Sequence, residues 1–168
     1  MLRTFLVRRR VPIGFVCAGI AYWLATPSAA SIAMGLLIAV PGEALRVWAA
    51  GHLDKGREIT RSGPYRFVRH PLYLGSAFLG AGFIVAARSW WVAILVGAYL
   101  AVALVAAMRA EESALDERFD GAYTAYRDGR AVPVSRPFSR ARVAANREPR
   151  AIAGLIAGFL LLIVRMRL

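Results

Sequence analysis

The feature that most limits how this chain can fold is its alternation of long apolar blocks with short arginine-rich segments. The blocks run from about Pro12 to Thr26, Ser31 to Ala50, Pro71 to Ala87, Trp90 to Met108 and Ala151 to Val164. A helix crosses a bilayer with about 20 apolar residues, so four of these blocks read as spans. The fifth has only fourteen residues before Arg165 and Arg167. It fits a short span with snorkelling arginines or an interfacial helix, and is read as a fifth span. The expected fold class is therefore all-α: a polytopic membrane helical bundle with 4-5 transmembrane helices and a cytoplasmic helical segment. Residues 1-168 are expected to form a single integral-membrane domain, with a C-terminal helix over about 151-164.

Composition supports this. The apolar share is 58%, above the roughly 45–50% of soluble domains, and mean hydropathy is +0.51. A net charge of +12 comes from 21 arginines and one lysine against ten acids. The basic residues cluster between apolar blocks, as the positive-inside rule and contact with anionic lipid require, and no nucleic-acid-binding motif accompanies them. Cys17, the only cysteine, lies within an apolar block. Neither a disulfide framework nor a thiolate metal site is available. The basic start followed by an apolar stretch imitates a signal peptide, but more apolar blocks follow at once, and it is read as a retained first helix.

Arginine placement gives an expected orientation. Arg3, Arg8, Arg9 and Arg10 put the N-terminus in the cytoplasm. Segment 52–70, with Lys55, Arg57, Arg61, Arg66 and Arg69, returns there after two crossings, and segment 109–150, with nine arginines, returns after two more. Polar chemistry is expected on that face, in a bacterial inner membrane. Arg88 and Ser89 alone separate the third and fourth blocks, so these form a tight hairpin with Trp90 and Trp91 in an interfacial belt. Ala93, Gly97 and Ala101 form a small-residue seam suited to close helix approach.

Two hydrophilic stretches carry the candidate chemistry. In GREITRSGPYRFVRHPLYLG, Gly63-Pro64 signals a turn, and Pro71 pushes His70 out of the helical region and opens the third span sharply. The N–H groups of Leu72, Tyr73 and Leu74 then have no partner within the helix and offer an anion site with Arg66, Arg69 and His70 on the rim. Gly75 leaves room beside that first turn. The plainer reading is an arginine-rich anchor for lipid phosphates. In RAEESALDERFDGAYTAYRDGRAVPVSRP, Glu111, Glu112, Leu115 and Phe119 continue the fourth span as an amphipathic helix. Two carboxylates at a bilayer boundary need a cation opposite, with Arg69, Arg66 or a charged ligand as candidates. Tyr123 and Tyr126 share a helical face as ligand contacts or interfacial anchors. Glu43 and Arg46 read as a mutually neutralising pair. His52 reads as an interfacial hydrogen-bonding residue, and with His70 it makes a poor metal site, so no metal is expected.

Together, GPYRFVRHPLYLG and EESALDERFDGAYTAY resemble the isoprenylcysteine carboxyl methyltransferase family, membrane enzymes related to phospholipid N-methyltransferases. The matching positions are Gly63, Tyr65, Arg69, His70, Pro71, Tyr73 and Gly75, then Glu111, Glu112, Leu115, Phe119, Tyr123 and Tyr126. Pro133 or Pro137 supplies a closing proline, and the resemblance covers about 43-137. Asp120 departs from the family's usual glycine, with Gly121 next. The resemblance implies S-adenosylmethionine as cofactor, contacted by His70, Tyr73, Gly75, Glu111, Tyr123 and Tyr126, with Arg69 and Glu112 around the reacting groups. It further implies methyl transfer to a lipophilic or lipidated acceptor, the carboxylate of an isoprenylcysteine-like substrate. Alternatives are a phospholipid amine or small-thiol methyltransferase, a nicotinamide-dependent membrane reductase, and a non-catalytic lipid-binding protein.

Overall fold

The structure is a computed structural model describing residues 2–119, 122–130, 132 and 134–168, with side chains from Pro12 onward except at Ala122. Regular structure among the described residues is entirely helical: α1 (Leu2–Leu24), α2 (Ala29–His52), a 3₁₀ turn (Gly63–Arg66), α3 (Pro71–Ala87), α4 (Trp90–Arg118), α5 (Ala122–Arg127), α6 (Arg140–Ala145) and α7 (Glu148–Arg167). Three helices, α2, α4 and α7, are long and apolar enough to cross a membrane, while the apolar stretches Pro12–Leu24 and Pro71–Ala87 are shorter. The last block is thus longer than its fourteen apolar residues, because Glu148, Pro149 and the terminal arginines join the helix.

Many large apolar side chains face outward, among them Phe15, Leu37, Ile94 and Leu160. A water-facing surface of that kind is unstable, and lipid is its natural solvent. The buried core is thin and built largely of small residues, Ala21, Ala39, Ala86 and Ala87 beside Val92, Phe159 and Leu162. Trp23, Trp90 and Trp91 are strongly exposed where α1 ends and α4 begins, as an interfacial belt requires. The α3–α4 hairpin turns on Arg88 and Ser89, Arg88 adopting a left-handed φ of 49°.

Close helix approach occurs between α2 and α3, the most extensive pairing in the bundle. A Cβ on Gly82 would lie 2.5 Å from the Gly35 carbonyl oxygen, and one on Gly75 would lie 2.6 Å from that of Gly42. Ser28 caps α2 through a reciprocal capping box with Ser31, whose hydroxyl donates to the Ala86 carbonyl at 2.9 Å and fixes the register with α3. The seam expected on α4 is not used in this way, since a Cβ on Gly97 would meet nothing within 4 Å.

At the opposite end, α6 closes α2. Helices end with unpaired carbonyls, and here they are taken by the tail: Asn146 Nδ2 donates to Ala50 and Leu53 (2.9 Å each), and Arg142 Nε donates to Gly51 (2.7 Å). This docking sets Glu148, the first residue of α7, against Arg46 of α2.

Candidate active site

α4 continues without a break to Arg118. At 1.5 Å per residue it is about 43 Å long, against a hydrocarbon core of about 30 Å. Its last turns therefore project past the bilayer boundary and carry Glu111 and Glu112 to the start of α3. His70 is the residue before α3, with φ −128° and ψ 61°, and Pro71 occupies the first turn. His70 Nε2 lies 2.9 Å from Glu112 Oε1. A carboxylate only accepts, so this nitrogen carries the proton. Tyr123 on α5 donates its hydroxyl to the same oxygen at 3.1 Å. One carboxylate oxygen thus joins three separate parts of the chain.

Beside this hub is a cavity of about 50 Å³ whose wall includes Tyr65, Arg69, His70, Glu111, Tyr123 and Tyr126. Tyr126 donates to the Tyr65 carbonyl at 2.7 Å, and the rings of Tyr123 and Tyr126 are 6.0 Å apart. Burial pushes the phenols of Tyr65, Tyr123 and Tyr126 above their ordinary range, and the Glu112 hydrogen bond adds to this at Tyr123. All three are neutral at physiological pH, and Tyr123 and Tyr126 donate. Segment 53–60 covers the cavity with Lys55, Glu58, Ile59 and Thr60. Arg136 holds this cover through Glu58 Oε2 at 2.6 Å and more loosely through Asp54 at 3.8 Å.

Several expectations change. Neither Glu111 nor Glu112 forms an ion pair with an arginine among the described residues; the partners of Glu112 are His70 and Tyr123. Arg69 reaches the cavity wall but is exposed. The Leu74 N–H, expected to be free, donates to the His70 carbonyl at 3.0 Å, the ordinary first bond of an α-helix. The room expected beside Gly75 is filled by α2, whose Arg46 Cγ would lie 2.5 Å from a Cβ there. Tyr73 packs its ring against His70 at 5.7 Å; Tyr73, Gly75 and Glu112 are not among the described residues of the cavity wall. His52 is buried, with Nδ1 3.2 Å from the Ser62 hydroxyl and its ring against Phe138, a structural role. Asp120, Gly121 and Pro133 lie outside the described residues, as do the side chains of Arg3, Arg8, Arg9 and Arg10.

Two acidic partners were missed. Glu58 sits in the cavity cover. Glu148 accepts from Arg46 Nε at 2.6 Å, while Glu43, the expected partner, is 3.7 Å away. Arg46 also donates to Ser76 Oγ and to the Leu72 carbonyl in the first turn of α3. The available signal was that Glu148 is the sole acid after Asp128 in an arginine-rich tail.

A family profile described as phospholipid methyltransferase matches residues 13–122, more than half of the chain. The chain belongs to the phospholipid methyltransferase family. Searches of curated proteins and of solved structures found no match. Membership in this family of membrane methyltransferases, together with the apolar helices, makes the protein an integral membrane methyltransferase. The matched region holds α2, α3 and α4 with His70, Glu111 and Glu112, and stops just before Tyr123. The tail that supplies Glu148 lies outside it.

Proposed function

We propose that the protein transfers a methyl group from S-adenosylmethionine to a lipid-tailed acceptor at the cytoplasmic boundary of the membrane. The observation that carries this reading is the Glu112 hub, which draws the start of α3, the end of α4 and α5 around one cavity. The donor set fits the cofactor. Glu111 on the cavity wall suits its sulfonium and ammonium groups, His70 and Arg69 suit its carboxylate, and the faces of Tyr123 and Tyr126 suit a flat base, while Glu112 holds His70 and Tyr123 in place. Bound there, the cofactor supplies an electrophilic methyl group. Displacement at that carbon needs little proton transfer, so the residues serve chiefly to align the reactants. A cavity of about 50 Å³ is below the roughly 300 Å³ of ligand pockets, so it must widen to admit the cofactor.

The acceptor we favour is a phospholipid amine, supported by the family's description. An isoprenylcysteine-like carboxylate is the second reading, favoured by Arg69 on the cavity wall and by the motif resemblance. A nicotinamide-dependent reduction loses its support, because the matched family transfers methyl groups. Titration of the detergent-solubilised protein with S-adenosylhomocysteine is the test. Saturable binding that disappears in Glu112→Ala and His70→Ala is the expected result; no binding to the unaltered protein removes the reading.

A further inference from the structure

The end of the bundle away from His70 carries a second opening. A cleft of about 300 Å³ lies beside the α3–α4 turn, walled by Ile84, Val85, Arg88, Ser89, Trp90 and Ala93. Its two polar side chains are unused. The exposed Arg88 guanidinium has no partner among the described residues, and the Ser89 hydroxyl does not cap α4. Arg88 also adopts φ 49° and ψ 43°, a left-handed conformation that a Cβ makes costly and glycine takes freely. The turn alone favours glycine, so what this position offers is its guanidinium.

Nothing in the neighbouring sequence neutralises that charge. Thr26 donates to the Arg88 carbonyl at 2.9 Å, and Arg165 of α7 donates to the Trp23 carbonyl at 3.2 Å. Residues 19–36, 80–100 and 155–168 therefore form this end, and they contain no aspartate or glutamate while Arg165 and Arg167 add to Arg88. Depth sharpens the need for an anion. α3 has 17 residues and is about 26 Å long, against a hydrocarbon core of about 30 Å. Counted from His70 at one boundary, Arg88 falls short of the other, where a bare guanidinium is costly and draws a counter-anion inward.

The layout of the cleft indicates the kind of anion. Arg88 and Ser89 form its rim beside the strongly exposed Trp90, a residue type suited to the headgroup level. Ile84, Val85 and Ala93 lie about one turn deeper and are apolar. A guanidinium pairs well with a phosphate, and an apolar wall below it suits acyl chains, whereas a free inorganic anion leaves that wall bare.

We propose that this cleft binds an anionic phospholipid in the leaflet opposite the candidate active site, with Arg88 on the phosphate and the acyl chains along Ile84, Val85 and Ala93. The site stands independently of the methyl-transfer reading.

Thermal unfolding in maltoside micelles tests it. The protein is melted alone, with dihexanoyl phosphatidylglycerol, with dihexanoyl phosphatidylcholine and with inorganic phosphate. At about 100 times its Kd, the glycerol lipid should raise the melting temperature by about 5–10 °C, and the other two at the same concentration by much less. Arg88→Gln loses most of that gain. Arg88→Gly loses it too, yet without lipid it melts no lower than the unaltered protein, because glycine relieves the left-handed turn. Equal shifts from phosphatidylcholine or from phosphate overturn the proposal, as does a phosphatidylglycerol gain that survives in both variants. An Arg88→Gly protein that melts well below the unaltered one in detergent alone also overturns it, since Arg88 is then a structural residue of the turn.

Discussion

Replacing Glu112 separates its role as a structural hub from that of an ordinary surface acid. Its Oε1 accepts from His70 at 2.9 Å and from Tyr123 at 3.1 Å. Hydrogen bonds to a charged group contribute roughly 1.5–3 kcal/mol each. The Glu112 side chain is 33% exposed, which argues for the lower end, so Glu112→Ala costs about 3 kcal/mol. Glu112→Gln keeps an acceptor of the same shape without its charge and costs about 1 kcal/mol. At roughly 2–4 °C per kcal/mol for a chain of this size, the alanine variant melts about 6–12 °C lower, read by tryptophan fluorescence in detergent. A second readout follows from Tyr123, whose phenol is held above its ordinary range by burial and by the Glu112 hydrogen bond. A pKa raised on folding gives stability that is complete below the unfolded value of about 10 and lost as pH rises through the folded value. In Glu112→Gln part of that elevation disappears, so one tyrosine ionises at lower pH in a tyrosinate absorbance titration. If Glu112→Ala melts with the unaltered protein and the titration curves coincide, the hub does not exist.

Arg46→Ala leaves Glu43 and Glu148 without their cation, and loss of one partner of a buried ion pair costs roughly 3–5 kcal/mol; thermal unfolding should show it, with partial recovery in Arg46→Lys. Gly75→Val drives side-chain atoms into the Gly42 carbonyl and Arg46, costing about 1–3 kcal/mol, whereas Gly97→Ala, with open space around it, should leave the melting temperature unchanged. Accessibility tags placed at residues 29 and 130 should report opposite faces of the bilayer, as the arginine distribution requires.

The helices were legible because apolar blocks and prolines are local signals. The α3–α4 hairpin and the run of α4 past the bilayer followed from the two-residue connection and from the spacing of Glu111, Leu115 and Phe119. The two motifs that meet at Glu112 were legible as residues, but their contacts were not. Sequence spacing suggested arginine partners, whereas the fold brings His70 and Tyr123 instead. Helix pairing was misread for a physical reason: small residues permit close approach but do not choose the partner. Ala93, Gly97 and Ala101 on α4 form a visible seam, yet α2 and α3 carry the complementary one, Gly35 with Gly42 and Gly75 with Gly82, each pair seven residues apart. Glu148 was the least legible, because its place depends on α6 capping the end of α2 nearly a hundred residues earlier.

That capping bears on the proposed reaction. A lipid tail gains about 0.8 kcal/mol per buried CH₂ by staying in the bilayer, while a zwitterionic methyl donor stays in water, so the two can meet only at the boundary. The family match covers α3 and α4, the helices proposed to hold the donor. The Arg46–Glu148 ion pair joins α2 to α7, and α7 is outside the match. The tail is thus tied through Arg46 to the first turn of α3. A substitution at Glu148 can therefore be felt at the start of α3, next to His70, without touching the cavity wall.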